Sequence, residues 1–414
     1  MALHYTPNTS TISDLTLHLD LPSLPKEEQT ELRGTFLPAE WYPQSGVQLT
    51  WPHANTDWAE LLPEVDDCFV RIALEVLAHE EKLLIVTPEP DRIQRLLHER
   101  IPSRLLPQVR YFECPTNDTW ARDHAFLTLI TEEGPRLLDF QFNGWGNKFP
   151  AELDNQICRR MVDEANEADG ANGTNGANGA NGTNGTNGAN EVIGDEGSSL
   201  LRGVYEPHLD FVLEGGSIES DGRGTLMTTS ECLLSAQRNP SLNQQEIERC
   251  LLHFFHAQRV LWVDHGYLAG DDTDSHIDTL ARFCPNDTIV YVQCTDPADE
   301  HYEELRAMEE QLKTFCVMGN AVGEGYRLIP LPLPAPIYDP EDGHRLPATY
   351  ANFLILNRAV LLPTYGQPEL DELARRQLQK AFPRYDVVPV DCRILIRQHG
   401  SLHCSTMQYP AGVL

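Results

Sequence analysis

Four polar clusters carry the side-chain types that catalysis uses: residues 117–124, 213–217, 270–278 and 398–408. Each lies beside an apolar run, so we expect the clusters at strand ends or in loops, where rigid folds usually present catalytic groups. Together they contain a thiol, imidazoles and several carboxylates. These clusters are the candidates for a functional site.

Cys404 is the strongest nucleophile candidate among the ten cysteines. It follows His403 in a polar segment, whereas Cys158, Cys250 and Cys294 lie in helical or strand-like apolar patterns. A reactive thiol needs partial exposure and a cationic or hydrogen-bonding environment, while a structural thiol sits among apolar residues. The surroundings of position 404 therefore favour a reactive thiol.

His276 and Asp278 are two residues apart beside Gly270 and repeated aspartates. On extended chain this spacing places both side chains on one face. Such a pair can transfer protons, bind a metal or simply form a hydrogen bond. The spacing alone leaves these three interpretations open.

Asp123 and Glu214 add two more acids, the first three residues after Trp120 and the second before Gly215 and Gly216. Either acid could also be an ordinary turn or capping residue. Several carboxylates around a thiol suit an electrophile that is itself a cation. A guanidinium fits best, because its planar fork of N–H donors can be held bidentately by carboxylates.

Strand and helix signals alternate along the whole chain, which predicts an α/β or α+β fold with a single core. The predicted strands include residues 47–51, 83–86, 109–113, 260–263, 289–294 and 387–390, and 353–356 is expected to pair with 360–362. The predicted helices begin near Asn55 or Thr56 and near Asn243, and two more cover 301–315 and 369–381.

One segment differs in composition from the rest. Every residue from Gly170 to Asn190 is Gly, Ala, Asn or Thr, and such a stretch buries too little to offset its ordering entropy. We predict that residues 164–199 form a disordered Asn-Gly-rich surface insertion. The chain is then one domain, 1–414, with its core at about 40–414.

The chain has 414 residues with 31 basic and 62 acidic side chains, so its net charge is −31. This balance argues against nucleic acid or an anionic membrane as partner and favours small cations. The cysteines show no paired spacing, and the sequence shows no secretory signal and no apolar run that could span a bilayer. We expect a soluble, reduced, cytoplasmic protein. Phosphate-cradling glycine motifs are absent as well, so no nucleotide cofactor is implied.

Five motifs resemble the agmatine deiminase and bacterial-type peptidyl-arginine deiminase family, and they occur in the family's order. The motifs are Trp120-Ala-Arg-Asp123, Glu214-Gly-Gly216, Asp274-Ser-His276-Ile-Asp278, Tyr350-Ala-Asn352-Phe353 and Gly400-Ser-Leu-His403-Cys404-Ser-Thr-Met-Gln408. The similarity runs from about Thr50 to the C-terminus. It implies a pentein fold, in which five pseudo-repeated ββαβ units surround a central site.

The resemblance also implies a role for each motif. Cys404 attacks the guanidinium carbon, Asp123 and Asp278 hold the guanidinium nitrogens, and His276 transfers protons. The same resemblance makes Trp120, Glu214 and Asn352 substrate-binding residues. It implies no cofactor and no metal, and it leaves a homodimer open.

The implied reaction converts agmatine to N-carbamoylputrescine and ammonia, a step of putrescine biosynthesis. The C-terminal motif departs from the Gly-Gly-Asn-Ile-His-Cys-Ile-Thr-Gln-Gln typical of agmatine deiminases, so peptidyl-arginine is the alternative substrate. Two rivals belong to other classes: a metal-dependent hydrolase with His276, Asp278 and Asp123 as ligands, and a non-catalytic binder of cations. Arg122 is expected to point away from the site, because neighbours on extended chain face opposite ways.

Overall fold

The alternating apolar runs fold into five small sheets that repeat one unit. In each unit an antiparallel strand pair is followed, after a helix, by a strand parallel to the second member of the pair. The computed structural model describes residues 34–79, 81–172, 191–193, 200–319 and 323–414. The predicted α/β class with five ββαβ units is confirmed.

The described residues form seventeen strands, and each of the five sheets contains three or four of them. They are β1 (Gln44–Thr50), β2 (Lys82–Thr87), β3 (Val109–Glu113), β4 (Leu127–Thr131), β5 (Gly134–Gln141), β6 (Glu191–Ile193), β7 (Gly203–Val212), β8 (Ile218–Ser220), β9 (Thr225–Thr229), β10 (Arg259–Val263), β11 (Ala281–Cys284), β12 (Thr288–Gln293), β13 (Arg327–Pro332), β14 (Leu354–Ile355), β15 (Ala359–Thr364), β16 (Asp386–Asp391) and β17 (Thr406–Pro410).

Six longer helices pack against these sheets in the described part of the chain. They are α1 (Leu62–Ala78), α2 (Pro90–Arg100), α3 (Ile157–Asn172), α4 (Gln244–Phe254), α5 (Tyr302–Leu312) and α6 (Pro368–Ala381). Single helical turns occur at Ala121–His124, Gly215–Ser217, Ser230–Leu233, Ile277–Thr279 and Leu395–Gln398, among others.

The two ends of the described chain meet in one sheet. Strand β17 pairs antiparallel with β1, with Leu49 opposite Thr406, and β2 extends the sheet on the other side of β1. The first unit is therefore assembled from both ends of the chain. This pairing holds Cys404 two residues before the start of β17.

Local sequence signals explain where two of the helices begin. Asn243 and Glu246 form a reciprocal capping box that starts α4 where it was predicted. Helix α1 begins at Leu62, later than the predicted start near Asn55 or Thr56. The reason is Pro63, which has no N–H to donate and is favoured in the first helical turn.

Two parts of the segment predicted as a disordered insertion, residues 164–199, have regular structure. Helix α3 continues through Asn172, and Glu191–Ile193 forms β6 at the edge of the second sheet. Residues 164–172 are therefore helical, whereas 173–190 and 194–199 lie outside the described residues.

Residues 34–414 form one compact unit. The predicted pairing of 353–356 with 360–362 appears as the antiparallel pair β14–β15. None of the helices in the described ranges is long and apolar enough to cross a lipid bilayer.

Candidate active site

Each of the five units contributes to the site from the segment that leads into its first strand. Asp123 precedes β4, Glu214 precedes β8, Asp278 precedes β11, Asn352 precedes β14 and Cys404 precedes β17. Equivalent positions in a repeated unit come together at one end of the assembly. The five motifs that lie far apart in sequence therefore build one site.

Gly216 lies at the point where two of these side chains, Asp123 and Asp278, converge with His276. A Cβ atom on Gly216 would lie 2.7 Å from His276 Nδ1, 2.9 Å from Asp123 Oδ1 and 3.1 Å from Asp278 Oδ2. Only glycine leaves room there, because real Cβ atoms do not approach other atoms so closely. The Gly-Gly pair, weak evidence in the sequence, is a steric requirement of the site.

Cys404 is buried, with its Sγ 3.4 Å from Asn352 Oδ1 and 3.9 Å from Asp278 Oδ2. Burial, followed by the charges of Asp278 and Asp123, raises the pKa of the thiol well above its usual value. Before substrate binds, the thiol is therefore protonated. A cation bound between the two carboxylates would favour the thiolate.

Asn352 positions both the nucleophile and one of the acids. Its Oδ1 accepts from the backbone N–H groups of His403 at 2.9 Å and Cys404 at 3.3 Å, and its Nδ2 donates to Asp278 Oδ2 at 3.2 Å. Asn352 is fully buried and, like Asp278 and His276, is not among the residues that line the cavity, so its expected contact with substrate stays a prediction. It holds the Cys404 segment against Asp278.

The two aspartates differ in their surroundings. Asp123 Oδ1 accepts from the Gly216 N–H at 3.0 Å and its Oδ2 from Trp145 Nε1 at 2.9 Å, yet burial raises its pKa to about 6. Burial also acts on Asp278, but hydrogen bonding to His403 and nearby positive charge hold its pKa below the usual value. Asp278 Oδ1 is buried without a hydrogen-bond partner, so it can accept from a ligand.

His276 is fully buried, and neither of its ring nitrogens has a hydrogen-bond partner in the structure. Its Nδ1 lies 3.8 Å from Asp123 Oδ1. Burial alone would lower its pKa, but Asp123, Cys232 and Glu214 raise it to about 10. His276 is therefore an imidazolium at neutral pH, with a proton to give to a leaving group.

Glu214 is not among the residues that line the cavity, and its expected contact with substrate stays a prediction. Both of its carboxylate oxygens accept from Arg238 Nε at 3.0 Å, and both side chains are fully buried. The carboxylate also lies within 4.8 Å of ligand atoms of Cys232 and His276. The negative charge of Glu214 thus stabilises the positive charge of the His276 imidazolium.

That same cluster bears on the metal-hydrolase alternative. Among the described residues, the group of possible metal ligands that comes together is Glu214, Cys232 and His276. Asp123 and Asp278 are not members, and the guanidinium of Arg238 on Glu214 opposes a second cation there. The geometry does not support a metal site made of His276, Asp278 and Asp123.

Several site residues were not predicted, and they form a charged layer behind the nucleophile. His403 Nδ1 donates to Asp278 Oδ2 at 2.8 Å, and its Nε2 lies 2.8 Å from Glu40 Oε1. Glu40 also pairs with Arg282 and Arg122. Burial opposes the charge on Glu40, but Arg282, His403 and Arg122 outweigh it and hold its pKa well below the usual range. No spacing pattern in the sequence links these distant residues.

Arg122 points away from the cavity, as expected, but for a different reason. Residues Ala121–His124 form a helical turn and not extended chain, so neighbouring side chains diverge by about 100°. The guanidinium binds Glu40 at 3.2 Å on the far side. It offers no cation to a substrate in the cavity.

A cavity of about 430 Å³ leads to Cys404. Trp120 and Trp145 form part of its wall, and Asp123 and Cys404 lie on its lining. His276 and Asp278 lie behind that lining and are fully buried.

The polar lining of this cavity is acidic. Its carboxylates are Asp57, Asp118, Asp123 and Asp272, and none of the described lining residues is Lys or Arg. Burial raises the pKa of Asp118 to about 6, and the nearby charge of Asp57 adds to this effect. A cavity so built favours a cationic guest.

Known proteins match the chain along most of its length. The model of the Porphyromonas-type peptidyl-arginine deiminase family matches residues 36–410. A C. jejuni agmatine deiminase structure, a Cys-to-Ser variant with substrate bound, is 33% identical, covers 92% of this chain and 97% of that chain, and has a TM-score of 0.75. A Porphyromonas gingivalis structure provisionally named arginine deiminase is 46% identical over 92% and 99% of the two chains, with a TM-score of 0.77. A Vibrio parahaemolyticus relative provisionally named agmatine deiminase is 32% identical over 91% of this chain and 97% of its own.

Proposed function

Since this chain belongs to the Porphyromonas-type peptidyl-arginine deiminase family, we propose that it hydrolyses agmatine to N-carbamoylputrescine and ammonia. It is a hydrolase of guanidino C–N bonds. The observation that carries the proposal is the convergence of Asp123, Asp278 and His276 around Gly216, with the Cys404 Sγ 3.9 Å from Asp278 Oδ2 and on the lining of an acidic cavity.

Substrate binding activates the nucleophile. The guanidinium donates to the carboxylates of Asp123 and Asp278, each of which keeps a free acceptor position. Its positive charge offsets the negative charge of the two carboxylates beside Sγ and lowers the pKa of the Cys404 thiol, whose proton passes to solvent in the cavity. The thiolate then attacks the guanidinium carbon, forming a C–S bond and a tetrahedral adduct.

His276 then transfers two protons in turn. Its imidazolium protonates the departing nitrogen, which leaves as ammonia while an amidino-thioether remains on Cys404. The neutral imidazole next takes a proton from water as the oxygen attacks the same carbon. Collapse of this second adduct forms the C=O bond of the ureido product and breaks the C–S bond. The hydroxyl proton passes to the departing sulfur and restores the Cys404 thiol, while His276 keeps the proton that it took from water.

The charges of the cavity favour agmatine among guanidino compounds. Agmatine carries an ammonium at the end of its alkyl chain, and Asp57, Asp118 and Asp272 line the cavity besides Asp123. Free arginine would bring its carboxylate to these acids, and none of the described lining residues is a Lys or Arg that could receive it. Trp120 offers a ring face to the cationic chain.

We include a cytoplasmic location in the proposal. All ten cysteines are free thiols in the structure, which is the state that a reducing compartment maintains. Fractionation of the source cells would test it.

The decisive experiment measures ammonia release from agmatine, free arginine and arginine-containing peptides at equal concentrations. Agmatine is expected to give the highest kcat/KM. A clear preference for peptides would assign the enzyme to the peptidyl-arginine alternative instead. Turnover that vanishes with a chelator would favour the metal-dependent hydrolase, and agmatine binding with no turnover would favour the cation binder.

A further inference from the structure

Residues 144–147 form a turn whose backbone is left-handed throughout. The φ angles are 66° at Gly144, 55° at Trp145, 86° at Gly146 and 63° at Asn147. Left-handed residues normally occur singly, and a bulky side chain in that region costs roughly 1–2 kcal/mol. Gly144 and Gly146 tolerate the conformation, but Trp145 does not do so by itself. A strained turn at a cavity wall calls for a functional explanation.

The turn delivers the Trp145 indole to Asp123. The Nε1–H donates to Asp123 Oδ2 at 2.9 Å, and the ring is only 6% exposed. Phe142 and Phe149 contact the ring edge-on, with centroids 5.1 and 5.6 Å away. These contacts fix the indole in place, and Trp145 is also one of the residues that line the cavity.

Several contacts hold the turn itself in place. Asn143 Oδ1 accepts from the Gly146 N–H at 2.9 Å, and Asn143 Nδ2 donates to the Gln237 carbonyl at 2.9 Å. Lys148 binds Asp274 at 2.6 Å, on the loop that carries His276. The surrounding structure thus over-determines the strained conformation, as it must for the strain to persist.

We infer that Trp145 is a positioning residue for Asp123, whose carboxylate it orients and keeps ionised for the guanidinium. Asp123 receives one N–H on each oxygen, from Gly216 and from Trp145. Each oxygen keeps another lone pair, so both can face the substrate in one plane. The inference rests on the proposed function, because it assigns Asp123 to guanidinium binding.

The electrostatics of Asp123 agree with this geometry. Burial raises its pKa to about 6, and the Trp145 N–H works in the opposite direction. His276 also favours the ionised form, whereas Asp278 and Glu214 oppose it. Without the indole N–H, the carboxyl should therefore take up a proton at a higher pH.

Trp145→Phe tests the inference, because it removes the N–H and keeps an aromatic ring. The acid limb of kcat/KM for agmatine should move up by about one pH unit, and the loss should be roughly tenfold near pH 6 and smaller above pH 8. The control is Trp262→Phe, which removes an indole N–H bonded to Glu248 at 2.9 Å outside the site. An acid limb identical to that of the unmodified enzyme would overturn the inference.

Two further measurements keep the test informative. Trp145→His keeps a ring N–H and serves as a second variant in case Trp145→Phe does not fold. Its acid limb of kcat/KM should lie between those of the unmodified enzyme and Trp145→Phe. Agmatine binding by Cys404→Ala, with and without Trp145→Phe, can be followed calorimetrically across the same pH range without turnover. If the unmodified enzyme releases no ammonia, the proposed function fails; if only the pH profiles coincide, the role of Trp145 fails.

Discussion

At the scale of single residues, the carboxylates of the site and its protonated thiol make catalysis depend on a cationic substrate. Burial and the carboxylates of Asp278 and Asp123 keep the proton on Cys404. The same carboxylates attract a guanidinium, whose charge reverses the effect on the thiol. In the proposed mechanism, substrate binding and activation of the thiol are therefore one electrostatic event. A neutral analogue of the same shape would bind poorly and would leave the nucleophile inactive.

Replacing Cys404 with Ser or Ala should abolish turnover. The serine hydroxyl has too high a pKa to supply an anion, and alanine supplies no nucleophile. Ammonia release is the measurement, and Cys316→Ala, at an exposed cysteine away from the cavity, is the matched control. Activity within tenfold of the unmodified enzyme in either Cys404 variant would contradict the covalent mechanism.

The pH profile should be bell-shaped in kcat/KM. Asp123 must be ionised, so activity rises with pH through about 6, and His276 must be protonated, so activity falls through about 10. Asp123→Asn should remove the lower limb. Asp123→Asn and Asp278→Asn should each cost at least about 100-fold, because a neutral amide replaces a charge-assisted hydrogen bond. Retention of the lower limb in Asp123→Asn would assign that limb to another group.

Secondary-structure elements contribute by placing one short segment of each unit at the same point. The segments before β4, β8, β11, β14 and β17 carry the side chains, and strand pairing fixes where each segment ends. Strand β17 does this for Cys404 through its register with β1. Elements far from the chemistry therefore set the positions of the reacting groups.

Tyr409→Phe tests the contribution of the β1–β17 pair to stability. Tyr409 Oη donates to Gln48 Oε1 at 2.7 Å, and both side chains are buried. Its loss leaves a buried acceptor unpaired, which costs about 1–3 kcal/mol, and the Tm should fall by roughly 2–6 °C. Thermal unfolding followed by circular dichroism measures the change. Tyr338→Phe, at a tyrosine that is 58% exposed, should leave the Tm unaltered, and equal Tm values for the two variants would contradict the prediction.

Charge acts on the scale of the whole molecule. The net charge of −31 produces a field that attracts cations at long range. The acidic cavity then acts on the same ligands at short range. The two contributions differ in their sensitivity to salt, because screening weakens exposed, distant charges far more than buried ones.

Agmatine should exceed free arginine in kcat/KM by at least roughly 100-fold, which corresponds to about 2.7 kcal/mol. Raising the ionic strength should reduce the ratio without abolishing it, since only the long-range part of the attraction is screened. Steady-state kinetics at low and high salt measure both effects. Comparable rates on the two substrates would refute the assignment of agmatine.

Deleting residues 173–190 should leave turnover nearly unchanged and shift the Tm by no more than a few degrees. The deleted residues are Gly, Ala, Asn and Thr, and loop-closure entropy depends only weakly on length. Ammonia release and thermal unfolding are the measurements, and a Gly-Ser segment of equal length is the control. A large loss of activity in the deletion alone would show that this segment contributes to the site.

The chemistry of the site could be deduced from the sequence because residue type alone sets what a side chain can donate, accept or attack. Cys404, His276, Asp123 and Asp278 were assigned on that basis and on the family resemblance. The structure brings the last three together around Gly216 and places the Cys404 thiol beside Asp278. Strand and helix positions followed from periodicity, and the capping box at Asn243 located α4. Such signals depend only on neighbouring residues, so they can be interpreted without knowledge of the fold.

Only the tertiary structure decided which residues support these groups. Glu40, Arg238, Arg282 and Trp145 come from segments with no spacing relation to the motifs, and Glu214 faces Arg238 instead of the cavity. The Gly-Trp-Gly triplet at 144–146 was the one local hint of an unusual turn. The fivefold repeat is equally hidden, because it resides in strand pairing while the sequences of the units share no pattern. Burial, pairing and pKa depend on distances in space, and those distances are set when the chain folds.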